Sequence, residues 1–183
     1  MQNESIKLRY IKENDIADYV TWTTTETEWC DWDAPWEEDE DDFLEMQQKL
    51  LAKKQGFYSK LEIETRHGRH IGWVSCYDTD VNDATVTAVG LNIPAVGDRG
   101  QGYGAQALSL YMAHLFEKEA TLYTQTWSGN LPMVKLAEKM GFTEVRRIID
   151  HREVRGQKYD ALTFAITKEA FFEKWTGKRD AYE

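Results

Sequence analysis

Apolar and charged residues alternate through Ile6-Lys7-Leu8-Arg9-Tyr10, the period of a half-buried strand. After Asn14 and Asp15, which can cap a helix, Ile16, Ala17, Tyr19, Val20 and Trp22 follow at helical spacing. A second helix is predicted from about Asp39. Its acidic first turn and its basic end at Lys53-Lys54 complement the helix dipole, and Gly56 stops it. Alternation returns over Phe57–Glu64. Arg66-His67-Gly68-Arg69 makes a turn, His70–Tyr77 is the hairpin partner, Asp78–Asp83 a loop, and Thr85–Ile93 the next strand. Pro94–Gly104 is rich in glycine, and Ala105–Lys118 is apolar on most sides, the pattern of a buried helix. A short strand, Leu122–Thr126, precedes a helix from Asn130 to Met140 that Gly141 ends. Strands Thr143–Glu153 and Tyr159–Thr167 flank the turn at Arg155-Gly156-Gln157, and Lys168–Trp175 is a final amphipathic helix. The order βααβββαβαββ with a helical tail predicts an α+β domain with a mixed, mostly antiparallel sheet. No repeat or linker interrupts it, so one domain over residues 1–183 is expected, with the tail from about 168.

Composition narrows the function. The 183 residues carry a formal charge of −10, which argues against nucleic acid, because phosphate contacts need clustered Lys and Arg. The acid is local. Eleven Asp and Glu and no Lys or Arg lie between Glu26 and Glu45, and removing those eleven charges from the total leaves the rest at +1. Cys30 and Cys76 make no disulfide framework, and no apolar run reaches the ~18 residues of a membrane span. A cytoplasmic protein is expected. His67, His70, His114 and His151 show no ligand spacing with cysteines or carboxylates, so no metal is expected.

The most specific segment is Asp98-Arg99-Gly100-Gln101-Gly102-Tyr103-Gly104-Ala105, between a strand and an apolar helix. It lacks the Gly-Lys-Ser/Thr end of a Walker loop and the spacing of a dinucleotide fingerprint. Two readings stay open: a helix-entry turn, or a cradle whose free amides attract an anion. Arg99-x-x-Gly102-x-Gly104 resembles the acetyl-CoA pyrophosphate motif of the GNAT superfamily of N-acetyltransferases. The likeness extends to the preceding strand Ala88–Ile93 and to the Asn130–Met140 helix followed by Gly141-Phe142, and covers essentially residues 6–167. The chain looks most like the branch with ribosomal-protein and spermidine acetyltransferases. The resemblance implies a GNAT fold with a sheet splayed at the cofactor site and acetyl-CoA as co-substrate. It implies that the backbone at Leu91 and Ile93 pairs with the pantetheine, and that the N–H groups from Arg99 through Gly104 (Gly100, Gln101, Gly102 and Tyr103 between them) hold the pyrophosphate. It further implies that Asn130, otherwise a plain helix cap, contacts the cofactor.

Catalytic residues do not transfer with the motif. Many relatives place a Tyr acid where this chain has Ala137, and a Glu where it has Val89. Tyr77, Cys76, Asp78, Asn92 or a water chain are the candidates, with Tyr77 and Asn92 carried forward. In this fold the first two helices and their loop cover the acceptor, which gives the acidic window a context. Glu28, Trp29, Asp31, Trp32, Asp33 and Trp36 suit a cationic amine through charge and cation–π contact, or else form packed indoles and a solvated surface. Asp39–Asp42 read as a solvated helix start. The expected function is acetyl transfer to a primary amine of a polyamine or aminoglycoside. The alternatives are a protein N-terminal acetyltransferase and a silent CoA-binding module. Exposed strands and tryptophans are compatible with a homodimer.

Overall fold

The computed structural model describes residues 1–35 and 43–175. Seven strands form one sheet: β1 (Ile6–Arg9), β2 (Leu61–Thr65), β3 (His70–Val81), β4 (Ala84–Asn92), β5 (Thr121–Trp127), β6 (Thr143–Val154) and β7 (Gln157–Thr167). Their spatial order is β1-β2-β3-β4-β5-β7-β6, antiparallel except between β4 and β5. The helices are α1 (Asp15–Thr24), α2 (Phe43–Ala52), α3 (Tyr103–Leu115), α4 (Leu131–Met140) and α5 (Lys168–Trp175). This is the predicted order. The expected start of the second helix, with Asp39–Asp42, lies outside the described residues, as does Trp36.

Three segments differ from expectation. Strand β2 begins at Leu61 because Gly56–Ser59 closes a turn, in which the Ser59 amide donates to Gly56 O at 3.1 Å. Phe57 packs instead on the His114 ring, 4.0 Å between centroids. Residues Asp78–Val81 stay in β3 and pair as far as Val81↔Ala84. Only Asn82 and Asp83 turn the chain, both at positive φ (51° and 64°), the two-residue hairpin loop that Asn and Asp tolerate best. A 3-10 turn at Thr27–Asp31 follows α1.

Cross-strand partners share a face of the sheet. One face carries Leu8, Ile63, Val74, Val89, Leu122 and Phe164, all at most 3 % exposed, and is covered by α3, α4 and α5 to form the main core. The opposite face carries Glu62 and Trp73, which stand in register. There Tyr19 and Trp22 of α1, with Trp29, pack on Trp73 as a second cluster. Tyr19 and Trp22 meet edge-on at 5.2 Å and Trp29 meets Trp73 at 5.5 Å.

Beneath these rings α1 is tied to the sheet by buried charge. Arg9 binds both oxygens of Asp15 (2.6 and 2.7 Å) and also Glu64. His70 lies between Asp18 and Glu62, each at 2.9 Å, and the Tyr19 hydroxyl donates to Glu62 at 2.7 Å. Asp15, Asp18 and His70 bring ligand-type atoms within 4.8 Å of one another. However, Asp15 is taken by Arg9 and by the Lys12 amide, and the second nitrogen of His70 by Glu62, so the group is built as an ion-pair network. Burial pushes the His70 imidazole down, but Glu62, Asp15 and Asp18 outweigh it and hold its pKa above the ordinary value. Burial lowers the Lys60 ammonium to about 8 against the pull of Glu62 and Asp15.

The linkage has a definite sign. A base whose folded pKa is raised stabilises the fold fully below its unfolded value, about 6.5, and that contribution is lost as pH rises through the folded pKa. Lys60 acts oppositely in a separate window, adding stability from about pH 8 toward 10.5. The His70 contribution to the urea midpoint is therefore expected to fall as pH is raised above 6.5. His70→Gln should lower the midpoint at pH 6 and flatten the profile over that window; equal slopes in the two proteins would remove His70 as the cause.

Candidate active site

Strands β4 and β5 touch at one parallel pair, Ala88↔Tyr123, reinforced by the Thr124 hydroxyl donating to Val89 O at 2.8 Å. Beyond that point the two strands separate, and a cleft of about 960 Å³ passes between them. Because side chains alternate, the cleft has two chemically different mouths. Toward α3 and α4 it is lined by Leu91, Ile93, Tyr103, Met133 and Leu136. Toward α1 it is lined by Ser75, Tyr77, Asn92, Gln125 and Trp127. A path through the sheet therefore joins an apolar slot to a polar, aromatic chamber.

The glycine-rich loop forms the wall of the slot. Gly100 and Gly102 have φ of +74° and +83°, a region glycine enters without steric cost, and no heavy atom lies within 3.4 Å of a Cβ built on either. Among the described residues the amides from Gly100 to Ala105 donate to no backbone carbonyl. The first helical donor is Gln106, to Gly102 O at 3.2 Å. Such a row of free amides at a helix N-terminus fits a pyrophosphate.

Arg99 is used differently from the expectation. Its amide already donates to Val96 O at 3.1 Å. Its guanidinium holds Ile93 O (2.8 Å) and Pro94 O (2.6 Å) and pairs with Glu28. The side chain thus shapes the turn and anchors the acidic segment. Gln101 is exposed and does not line the cleft, its side-chain Nε2 donating to Gly97 O at 2.6 Å. Asn130 caps α4 by accepting from the Met133 amide (3.1 Å) and donates to Trp32 O (2.9 Å), so both ends of its side chain are engaged.

Four of the expected acceptor residues, Glu28, Trp29, Trp32 and Asp33, line the polar chamber. Trp29 is also core, 9 % exposed, with its indole donating to Trp22 O at 2.9 Å. Glu28 accepts from the Trp32 indole (2.7 Å) and from Arg99, which together hold its carboxyl below the ordinary range. Asp31 points away, paired with Arg155 at the β6–β7 turn. Asp33 accepts from the Asn92 side chain at 2.9 Å. Tyr77 shares the chamber and is 42 % exposed; partial desolvation, then the charge of Asp33, push its phenol upward. Cys76 and Asp78 do not line it. Cys76 sits on the core face, where Tyr111 donates to its sulfur at 3.2 Å.

Sequence reasoning missed Trp73, Gln125, Trp127, His151, Lys135 and Lys139. The lysines carry a legible signal, a pair four residues apart on one helix. Trp127 has none, since only the fold shows its indole donating to Trp32 O at 2.9 Å.

The sequence matches the family profile described as an acetyltransferase (GNAT) domain over residues 5–143, about three quarters of the chain. The chain belongs to the GNAT acetyltransferase family. It is therefore an acyl-CoA-dependent N-acetyltransferase that acts on amines, and its co-substrate is acetyl-CoA. No curated protein matches it significantly in sequence. Among solved structures, this GNAT enzyme resembles a spermidine N-acetyltransferase from Vibrio cholerae in complex with CoA and spermine. The TM-score is 0.72 at 16 % identity, covering 93 % of this chain and 99 % of that one. A ribosomal-protein-alanine N-acetyltransferase from Brucella melitensis gives a TM-score of 0.69 at 20 % identity, covering 88 % and 99 %. A ribosomal L7/L12 α-N-protein acetyltransferase in complex with coenzyme A gives 0.71 at 16 %, covering 91 % and 96 %. At these identities the likeness is one of fold. Among the described residues no helix is long and apolar enough to cross a membrane.

The end of β4 is positioned by close backbone contact. Gly72 has φ of +152°, and a Cβ built there would lie 2.0 Å from Asn92 O and 3.1 Å from Ile93 Cα. Gly72→Ala must displace Asn92 and Ile93. It should lower the melting temperature by several degrees, at about 2–4 °C per kcal/mol for a chain of this size, and weaken CoA binding in calorimetry. Unchanged CoA affinity would detach the cleft from this contact.

Proposed function

We propose that the enzyme acetylates a primary amine of a cationic small molecule of the polyamine or aminoglycoside type. The observation that carries this reading is the setting of Asp33. Of the carboxylates lining the cleft, Glu28 is neutralised by Arg99 and Asp98 by Arg69, whereas Asp33 is held only by the neutral amide of Asn92 among the described residues. Its charge is left to face the chamber beside Tyr77, where the indoles of Trp29, Trp32 and Trp73 also lie. A carboxylate with aromatic walls is a site for an ammonium group. The solved Vibrio cholerae neighbour, a spermidine acetyltransferase held with spermine, is consistent with such an acceptor.

In this reading the amides of Gly100 to Ala105 bind the pyrophosphate and the free edge of β4 at Leu91 and Ile93 pairs with the pantetheine. Asn92 orients Asp33. Asp33 grips a cation distal to the reacting nitrogen, because a carboxylate beside that nitrogen would stabilise its protonated form. Tyr77, whose phenol the charge of Asp33 and partial desolvation in the chamber hold protonated, returns a proton to the leaving thiolate in this reading. Asp31, bound to Arg155, takes no part in holding the acceptor.

Thiol release from acetyl-CoA across spermidine, aminoglycosides, simple monoamines and basic peptides tests the reading. Turnover of polycations is expected, and turnover of peptides alone would replace it with protein acetylation. Asp33→Asn should raise KM for a polycation about tenfold, equivalent to about 1.4 kcal/mol, with CoA affinity unchanged. Gly102→Glu should abolish CoA binding by placing bulk and negative charge among the amides. Its fold should survive with a cost of about 1 kcal/mol for a side chain at positive φ. Retained CoA affinity in that variant would sink the cradle assignment.

A further inference from the structure

Strand β6 is not a regular edge strand. Ile148 pairs with Ala161 and Arg152 with Tyr159, so Ile149, Asp150 and His151 together oppose the single residue Asp160. Asp150 sits at φ +52°, and its amide donates to Asp160 Oδ1 at 3.1 Å. The other oxygen of Asp160 accepts from Arg147 at 2.7 Å, and Arg147 is held again by Glu144. The Asp160 backbone is fixed in turn to Ser128, just before the cap of α4 (Asp160 N to Ser128 Oγ 3.0 Å, Ser128 N to Asp160 O 2.9 Å). A bulge of two extra residues that is braced on three sides redirects side chains, and bulges recur beside active sites for that reason. Of the three bulged residues only His151 reaches the cleft, which it lines with Arg152, Ala161 and Thr163; Ala161 pairs with Trp127, and Thr163 with Gln125, on the neighbouring strand. It is the one imidazole among the cleft-lining residues, and it makes no hydrogen bond or ion pair with the described residues.

The reaction needs such a group. An alkyl amine arrives as an ammonium ion with a pKa near 10.4 and cannot attack until it loses a proton. Imidazole is the side chain best matched to proton transfer near neutral pH. The carboxylate on the opposite wall, Asp33, is held by Asn92 and stabilises the cation instead.

We propose that His151 is the general base that deprotonates the acceptor, a conclusion that rests on the amine-acetylation reading above. An ammonium N–H proton passes to a ring nitrogen of His151. The freed lone pair forms the C–N bond to the acetyl carbon as the C–S bond breaks. The thiolate takes a second proton from the new amide nitrogen, directly or through Tyr77 or solvent, and the His151 proton leaves to water. Arg152 on β6 and Tyr159 and Asp160 on β7 are the charged and titratable groups that pair around the bulge, and the same cleft is lined by Asp33, Tyr77, Lys135 and Lys139.

The test compares wild type with His151→Gln on an acceptor that wild type turns over. Absence of wild-type turnover on every amine would defeat the acetylation reading itself, whereas the following outcomes address His151 alone. At pH 7 the variant should lose about 10²–10⁴-fold in kcat/KM for an alkyl amine, the usual range for a positioned base, with the CoA Kd from calorimetry unchanged. Wild-type log kcat/KM should level off above neutrality, while that of the variant should keep rising with unit slope as the free amine supplies itself. A weakly basic arylamine, already neutral at pH 7, should be acetylated equally by both. In the presence of CoA, spermidine should shift the His151 ring resonance in wild-type NMR spectra. Identical pH profiles, an equal loss on the arylamine, or an unmoved ring resonance would each overturn the proposal.

Discussion

The parting of β4 from β5 is the constraint on which the rest of the molecule depends. Buried backbone N–H and C=O groups must be paired, and a strand in the middle of a sheet normally meets that demand on both sides. Here β4 is paired throughout with β3 but with β5 only at Ala88↔Tyr123. The open edge beyond is a row of hydrogen-bonding groups at the bottom of a cleft, suited to an extended amide-bearing chain such as pantetheine. The helix that follows, α3, begins where that edge ends, so its free amides lie at the mouth of the same slot. One departure from regular pairing thus creates the channel, presents its backbone edge and aims a helix N-terminus at its entrance.

The remaining contacts hold the two sides of that opening together. Arg99 joins the turn after β4 to Glu28, Asn92 joins the strand end to Asp33, and Trp127 and Asn130 both donate to Trp32 O. The segment after α1 is therefore fastened to the loop, to β4 and to the start of α4. The base of that segment rests on α1, which the Arg9–Asp15 pair binds to β1, the Tyr19–Glu62 hydrogen bond to β2 and the His70–Asp18 pair to β3. Removing one member of such a buried pair leaves the other charge uncompensated, which is more costly than the pair is stabilising. The polar chamber inherits its geometry from charges that do not line it.

Much of this was legible because it is local. Asn130 and Gly141 bracket α4 as cap and stop, and each does so through contacts within a few residues. The apolar run of α3 is buried on most sides as its composition demands, and the glycine-rich stretch before it is the turn into that helix, with Gly100 and Gly102 at positive φ. The acidic window was legible only as charge. That Asp31 would turn to Arg155, Glu28 to Arg99 and Asp33 to Asn92 depends on partners 124, 71 and 59 residues away. The two-residue turn at Asn82-Asp83 was missed because its strand is polar on the exposed side, so Asp78 and Asp80 looked like loop.

The sequence by itself determined the order of elements, the glycine-rich entry to α3 and the family, since each rests on spacing along the chain: period two, period 3.6, or a six-residue motif. The tertiary structure alone decided which charges are spent and which are left to act. Cys76 and Tyr77 are neighbours in sequence, yet alternation sends one to the core face and the other to the cleft, and nothing local says which. His151 is placed by a bulge braced on Asp160 and Ser128, residues that reach it only because three strands pair. Chemistry at a site is set by which groups face each other across the sheet, and that pairing is a property of the folded chain rather than of any stretch of it.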